Sequence, residues 1–319
     1  MAEYKGIHGT KIQNYTSDPA NPITGQVWYN ETDQVMKFQY PTTINAWATG
    51  GNLNTGRQYI SGAGTQTSTL AAGGETPVSP NSTTTESYNG SAWTSVTGMS
   101  NARFFTGGAG ESNTSALIFG KYDPASGITE SWNGSAWTEV NDMNTGRGRF
   151  GGTGTQTAAL GAGGAIVSTD QTATETWNGS AWTNVSGLNT ARAYVNTGGT
   201  YTSALTAGGL SPPATVLGNA ESWNGTSWTE VADIATPAGQ RSLFGQDNSN
   251  ILAVGSNLTE LWNGSAWTET TDLSSARSVT GSGRSPASSG IIFGGNTSNT
   301  ATEEWTGAGA PVTYTFTDS

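Results

Sequence analysis

The chain has no cysteine, one histidine, and only 11% charged residues across its 319 positions. Without cysteine there is no disulfide and no thiolate metal site. The lone His8 rules out a histidine-based metal cluster and argues against a Ser-His-Asp triad. No window approaches the roughly 18 apolar residues of a membrane span, so membrane insertion is not expected. The opening segment, Met1 to Asn14, has no apolar h-region and does not read as a secretory leader. Lysine and arginine total 12 against 23 acidic residues, for a formal charge of −11. Phosphate-backbone binding needs clustered cations, so nucleic acid is not an expected partner.

What is abundant is glycine, at 45 residues, and tryptophan, at 12. Low charge and much glycine would suit disorder, but disordered chains lack large apolar side chains. The tryptophans also fall in phase. Glu86-Ser-Tyr88-Asn-Gly-Ser-Ala-Trp93 returns as Glu130 to Trp137, Glu175 to Trp182, Glu221 to Trp228 and Glu260 to Trp267. A degenerate sixth copy is read as starting at Glu304. The period of 39 to 46 residues suits a blade of four strands.

One repeat shows the expected four strands. Between residues 147 and 185 they are Arg147 to Gly152, Thr157 to Leu160 running into Gly163-Gly164, Ala173 to Trp177, and Ala181 to Val185. Asn178-Gly179 lies between the last two and predicts a hairpin with a type I′ turn. The two aromatics flanking that turn could meet across the hairpin or pack against neighbouring blades. Paired glycines recur at 73–74, 163–164, 208–209 and 294–295, with single ones at Gly120 and Gly255. An arginine follows each fourth strand: Arg57, Arg103, Arg147, Arg192, Arg241 and Arg277. One glutamate and one arginine per repeat suggest ion pairs tying the blades together, or charges facing a ligand in the channel.

This order of features resembles the kelch repeat: arginine after a short loop, a double glycine, then an aromatic and a tryptophan five residues on. The resemblance covers roughly residues 50–305. It implies an all-β, six-bladed kelch-like β-propeller with a short N-terminal arm, and a binding or scaffolding role. The sixth repeat lacks its fourth-strand tryptophan. Trp47 precedes Trp93 by one period, so an N-terminal strand is expected to close the ring. Alternatively Val312 to Phe316 is the last strand and residues 26–50 begin a seventh blade. The expected division is residues 1–40 as arm and hairpin, and 41–319 as a propeller closed by both termini.

Residues 21–38 read as a strand, a polar turn and a second strand. Their Gly25-Gln-Val-Trp28-Tyr29-Asn30 looks like a short module recurrent in tailed-phage structural and tail-fibre proteins. The Asn-Gly-Ser-Ala-Trp array behind it is similar to proteins of marine phages. That resemblance implies a virion protein, such as a tail fibre, tail tip or capsid decoration, with Trp28 and Tyr29 in a docking segment. Its implied partners are other virion proteins and a host-surface glycan or receptor, with homo-oligomerisation open. It would sit on the virion surface after assembly in the host cytoplasm; an extracellular location is the alternative.

No catalytic residue, metal or cofactor is expected. Sialidase-type Asp boxes, a P-loop and an EF-hand loop are all missing from the sequence. Among recognition elements, the connections between second and third strands vary most, and variable loops on a rigid scaffold are where binding usually lies. Tyr122, Asp123, Asp170 and Pro212 are the candidate contacts there. A free lectin-like or scaffolding propeller is the alternative, and a glycan-active enzyme a minor one.

Overall fold

The computed structural model describes residues 12–19, 26–41, 45–211, 215–278, 280–283, 285–296, 299–307 and 311–315. Among them are strands and turns and no helix. The chain divides into two compact units, Asn45–Trp305 and a smaller one made of Met1–Ile44 with Thr306–Ser319.

The large unit is a succession of four-stranded antiparallel sheets, a propeller-like arrangement. In the first sheet the strands follow chain order: Ser61–Thr65, Ser68–Ala72, Thr85–Tyr88 and Trp93–Val96. The same order repeats in residues 107–140, 151–185, 196–231 and 242–269. A sixth sheet takes Gly281–Ser282, Ser289–Phe293 and Thr302–Thr306, and its fourth strand is Ala46–Thr49. First strands are glycine-rich because they crowd one another. A Cβ on Gly108 would lie 2.5 Å from the Gly62 carbonyl oxygen, and one on Gly62 would lie 2.0 Å from that of Ser282. The first strand of each sheet packs on the next, and that of the sixth packs on that of the first.

The core lies between sheets rather than within one. Ala63, Leu70 and Ala72 of the first sheet meet Ile118, Trp132 and Trp137 of the second. The flanking aromatics take both of the packing options that spacing left open. They face each other across each hairpin, as Trp132–Trp137 and Trp177–Trp182 do with centroids 5.3 and 5.5 Å apart. The fourth-strand indole also reaches the preceding sheet. Trp137 Nε1 donates to Thr85 Oγ1 at 3.1 Å, Trp182 to Thr129 at 3.2 Å and Trp228 to Thr174 at 3.1 Å. Trp93 donates to Thr302 at 3.0 Å and Trp47 to Thr259 at 3.1 Å. Burying one indole contributes on the order of 4 kcal/mol before ordering costs.

The hairpin turns differ in type from expectation. Only the glycine of each Asn-Gly pair has positive φ, for example Gly179 at 91°. The Asn178 side chain instead accepts the backbone N–H of Ser180 at 3.0 Å and of Ala181 at 2.9 Å. Asparagine thus supplies a side-chain bridge over a four-residue loop, not a left-handed backbone in a two-residue one.

In the smaller unit, Val27–Asn30 and Val35–Pro41 form the expected hairpin, with Gln13–Tyr15 parallel to the first of them. The C-terminal strand Pro311–Thr315 pairs with Val35–Pro41, so it belongs to this unit and not to the propeller-like array. That corrects the expected boundary at residues 41–319: the hairpin's open edge recruits the strand, while residues 46–49 complete the sixth sheet. Trp28 is fully buried and donates to Asp18 Oδ1 at 3.1 Å. It anchors the hairpin and has no surface to offer a docking partner; Tyr29 is half-buried. Burial alone would raise the Asp18 pKa. Hydrogen bonds from Lys37, Asn30 and Trp28 outweigh it and hold the carboxyl below its ordinary value.

Candidate functional site

The repeated arginines and glutamates are buried pairs within a sheet. Arg57 Nη2 lies 3.0 Å from Glu86, Arg103 Nη2 2.6 Å from Glu130, and Arg147 Nη1 2.5 Å from Glu175. Arg192–Glu221 and Arg241–Glu260 follow at 2.8 and 2.9 Å. In the sixth sheet Arg277 pairs with Glu303 at 2.5 Å. Glu304, the residue expected there, is one position out of register. Strand side chains alternate in direction, so a one-residue offset sends Glu304 to another face. Burial pushes the guanidinium of Arg57 down from its ordinary value, and Glu86 pulls it back.

Each glutamate also caps backbone. Glu86 accepts the N–H groups of Asn54 and Thr55 at 2.7 and 3.3 Å. The arginine main chain faces the other way. The carbonyls of Arg103 and Arg192 accept Gly74 and Gly164 N–H at 3.0 and 2.8 Å. One residue therefore rivets two sheets, its side chain in its own and its carbonyl on the double glycine of the preceding one. A Cβ at Gly73 would sit 2.6 Å from the Arg103 carbonyl oxygen, where φ is already +67°. These charges are consumed structurally and do not line the opening described next.

Two residues beyond four of these arginines or, in the fifth repeat, one before Arg241, the backbone turns left-handed. Tyr59, Phe105, Arg149, Tyr194 and Gln240 have φ between 53° and 62°. They are chained by backbone hydrogen bonds. Phe105 N–H donates to Tyr59 O at 3.4 Å, Arg149 to Phe105 at 2.9 Å, Tyr194 to Arg149 at 2.8 Å and Gln240 to Tyr194 at 2.9 Å. Their side chains line one opening, which continues down the first strands past Ser61, Thr106, Asn196 and Thr197.

Arg149 is the chemical centre of this opening. Its guanidinium carbon is 3.6 Å from the Tyr122 ring centroid, 4.5 Å from that of Tyr194 and 5.4 Å from that of Phe105. Among the described residues no carboxylate lies within 4.0 Å of it and its Nε is buried without a partner. Thr197 Oγ1, also in the lining, is buried and unpartnered as well. Burial raises the phenols of Tyr59 and Tyr194, with Arg149 acting in the opposite direction on both. Neutral tyrosine hydroxyls thus face the opening at physiological pH.

Two of the four loop candidates converge here. Tyr122 covers Arg149, and its hydroxyl donates to the Val167 carbonyl at 2.7 Å. Asp170 feels Arg149 electrostatically; burial raises its carboxyl pKa and Arg149 pulls it back. Asp123 is exposed beside them, and Pro212 lies outside the described residues, as does His8. The same connections carry exposed valines at their tips, Val78 at 94% and Val167 at 68%. The sequence reading missed Tyr59, Phe105, Arg149, Tyr194 and Gln240. Their shared feature is a backbone conformation, and only their offset from the repeated arginine could have flagged them.

No protein-family model matches the chain, and no curated protein matches it. Among solved structures, one described as "Structure of YjhT", a kelch-type propeller protein, superposes with a TM-score of 0.63 at 13% identity. The match covers 80% of this chain and 95% of the other. At that identity the likeness establishes architecture alone: the chain is an all-β protein with a propeller-like fold.

Proposed function

We propose that the large unit is a six-bladed, kelch-like β-propeller closed by its N-terminal strand, and that it serves as a non-enzymatic binding module of a tailed-phage particle. The sixth sheet, built from residues 281–306 and 46–49, supports the closure. So does the packing of its first strand on that of the first sheet. The observation that carries the binding role is the opening itself. Five left-handed residues on a continuous backbone hydrogen-bond path hold three aromatic rings, a guanidinium and an amide around one entrance. Such strained positions cost about 1–3 kcal/mol each, and they cluster where function needs a fixed geometry. Among the described residues the lining holds no carboxylate and no histidine, which favours recognition over acid–base chemistry.

The phage setting rests on the resemblance of the Gly25 to Asn30 segment and of the array to tailed-phage proteins. Tyr29, Asp123 and the valine-tipped loops are the surfaces this reading offers to a host glycan or receptor and to neighbouring virion proteins. Mass spectrometry of purified particles tests it. The chain is expected at stoichiometric copy number; its absence from particles defeats the virion reading. A free lectin-like module is the second reading, favoured by the aromatic lining, and it predicts glycan binding by the secreted chain without any particle.

A further inference from the structure

We propose that the opening is a receptor for a single carboxylate carried on a sugar ring, with Arg149 as its anchor. This rests on the binding role above and names the ligand class. In a chain of net charge −11, Arg149 is a half-buried cation that the described structure leaves without an ion-pair partner. The six repeated arginines each have a glutamate within 3.0 Å. Aromatic rings offset part of the cost of holding a guanidinium there, but they accept none of its five N–H donors. A carboxylate matches that planar fork with two parallel hydrogen bonds.

The walls argue for a sugar rather than a bare anion. Tyr59, Phe105 and Tyr194 offer ring faces and edges for the C–H surface of a pyranose. The Gln240 amide offers a polar partner for its hydroxyls. The opening has a volume of about 80 Å³, which takes a charged end group with little else. A terminal or branch-point sugar acid, entering carboxylate first, fits that shape; a long chain laid flat does not. Asp170, the acidic group acting on Arg149 from the loop above, opposes the incoming charge.

Calorimetric titration of the full chain with galacturonate and glucuronate tests this, with galactose, acetate and inorganic phosphate as companion probes. The sugar acids are expected to bind at least about tenfold more tightly than any of the three. Arg149→Gln should lose about tenfold or more, Arg149→Lys less, and Asp170→Asn should gain a few fold. Equal binding of acetate or phosphate would overturn the sugar, and equal binding of galactose with Arg149→Gln unaffected would overturn the carboxylate. That second result leaves the opening as a binding site for neutral ligands, so failure of this inference stays separable from failure of the binding role. Silence from every probe sinks both. Near-ultraviolet circular dichroism reports whether Arg149→Gln folds. If it does not, the Asp170→Asn gain decides, and no gain counts against the proposal.

Discussion

Tyr88, at the end of the third strand of the first sheet, donates its phenol hydrogen to the Glu304 carboxylate on the third strand of the sixth. In the other repeats a tryptophan holds this position and donates within its own sheet, as Trp132 Nε1 does to Asn113 O at 2.9 Å. The first repeat therefore spends its aromatic on the junction between the two ends of the array. Burial, then the bond to Glu304, pushes the Tyr88 pKa up to about 12. A group raised in the folded state contributes stability that is complete below its unfolded value, about 10 for tyrosine. That contribution is lost as pH rises through about 12. Tyr88→Phe should lower the melting temperature at neutral pH, since a hydrogen bond to a charged acceptor is worth about 1.5–3 kcal/mol. The gap between wild type and variant should close as pH climbs from 10 toward 12. Thermal melts across that range, with tyrosinate absorbance alongside, check it; a pH-independent gap refutes it.

The junction also shows where sequence reading succeeds and where it slips. Phase gave the array because Trp93, Trp137, Trp182, Trp228 and Trp267 each need the same pocket against the preceding sheet. Trp47 obeyed the same phase and was legible as the missing fourth strand. Glu304 was not, because two glutamates adjoin in a copy that has lost its Asn-Gly-Ser-Ala-Trp turn. Only the alternation of the strand separates the inward Glu303 from its neighbour. The Arg149 opening was illegible for a different reason. Tyr59, Phe105, Arg149, Tyr194 and Gln240 share φ and a hydrogen-bond path, and neither leaves a residue-type signature.

The buried pairs predict a steep penalty for removing one partner. Arg103 and Glu130 both have fully buried side chains. Glu130→Gln leaves the guanidinium uncompensated, and breaking a buried pair costs about 3–5 kcal/mol. Replacing both by apolar residues should not restore stability here. Glu130 also accepts the backbone N–H of Ser100 at 2.8 Å and of Asn101 at 3.2 Å, and apolar side chains cannot. Denaturant unfolding of Glu130→Gln and of Arg103→Met/Glu130→Leu measures both costs. Full recovery in the double variant would show that the capping bonds carry no weight.

One link in the tryptophan circuit is missing its acceptor. Five fourth-strand indoles donate to a threonine that directly precedes a repeat glutamate, as Trp182 does to Thr129. In the fourth sheet that position is Ala220, and Trp267 of the fifth donates instead to the Ala232 carbonyl at 3.0 Å. Trp267 is half-buried, as is Trp47, which has its threonine, while Trp93, Trp137, Trp182 and Trp228 are buried. Ala220→Thr supplies the missing hydroxyl at a site where five counterparts already fit one. It should stabilise the protein by about 1 kcal/mol and draw Trp267 inward. A higher melting temperature with blue-shifted tryptophan emission is the expected result. A loss of stability would mean that the fourth sheet has no room for the extra atoms.

Val167 combines three costs at one loop tip: a β-branched side chain, φ of +56°, and 68% exposure. Left-handed backbone costs an L-residue roughly 1–2 kcal/mol, and asparagine tolerates it better than valine. Among the described residues Val167 is engaged through its carbonyl, by Tyr122, so Val167→Asn leaves that bond and the cover over Arg149 in place. Relief of strain should therefore raise the melting temperature by the equivalent of up to about 1 kcal/mol. The exposed apolar surface of Val167 is free for a contact outside the chain. On the virion reading proposed above, Val167→Asn should lower adsorption of particles to host cells while the purified chain becomes more stable. Improved stability with unchanged adsorption would remove this tip from the contact surface and leave recognition to the opening beneath it.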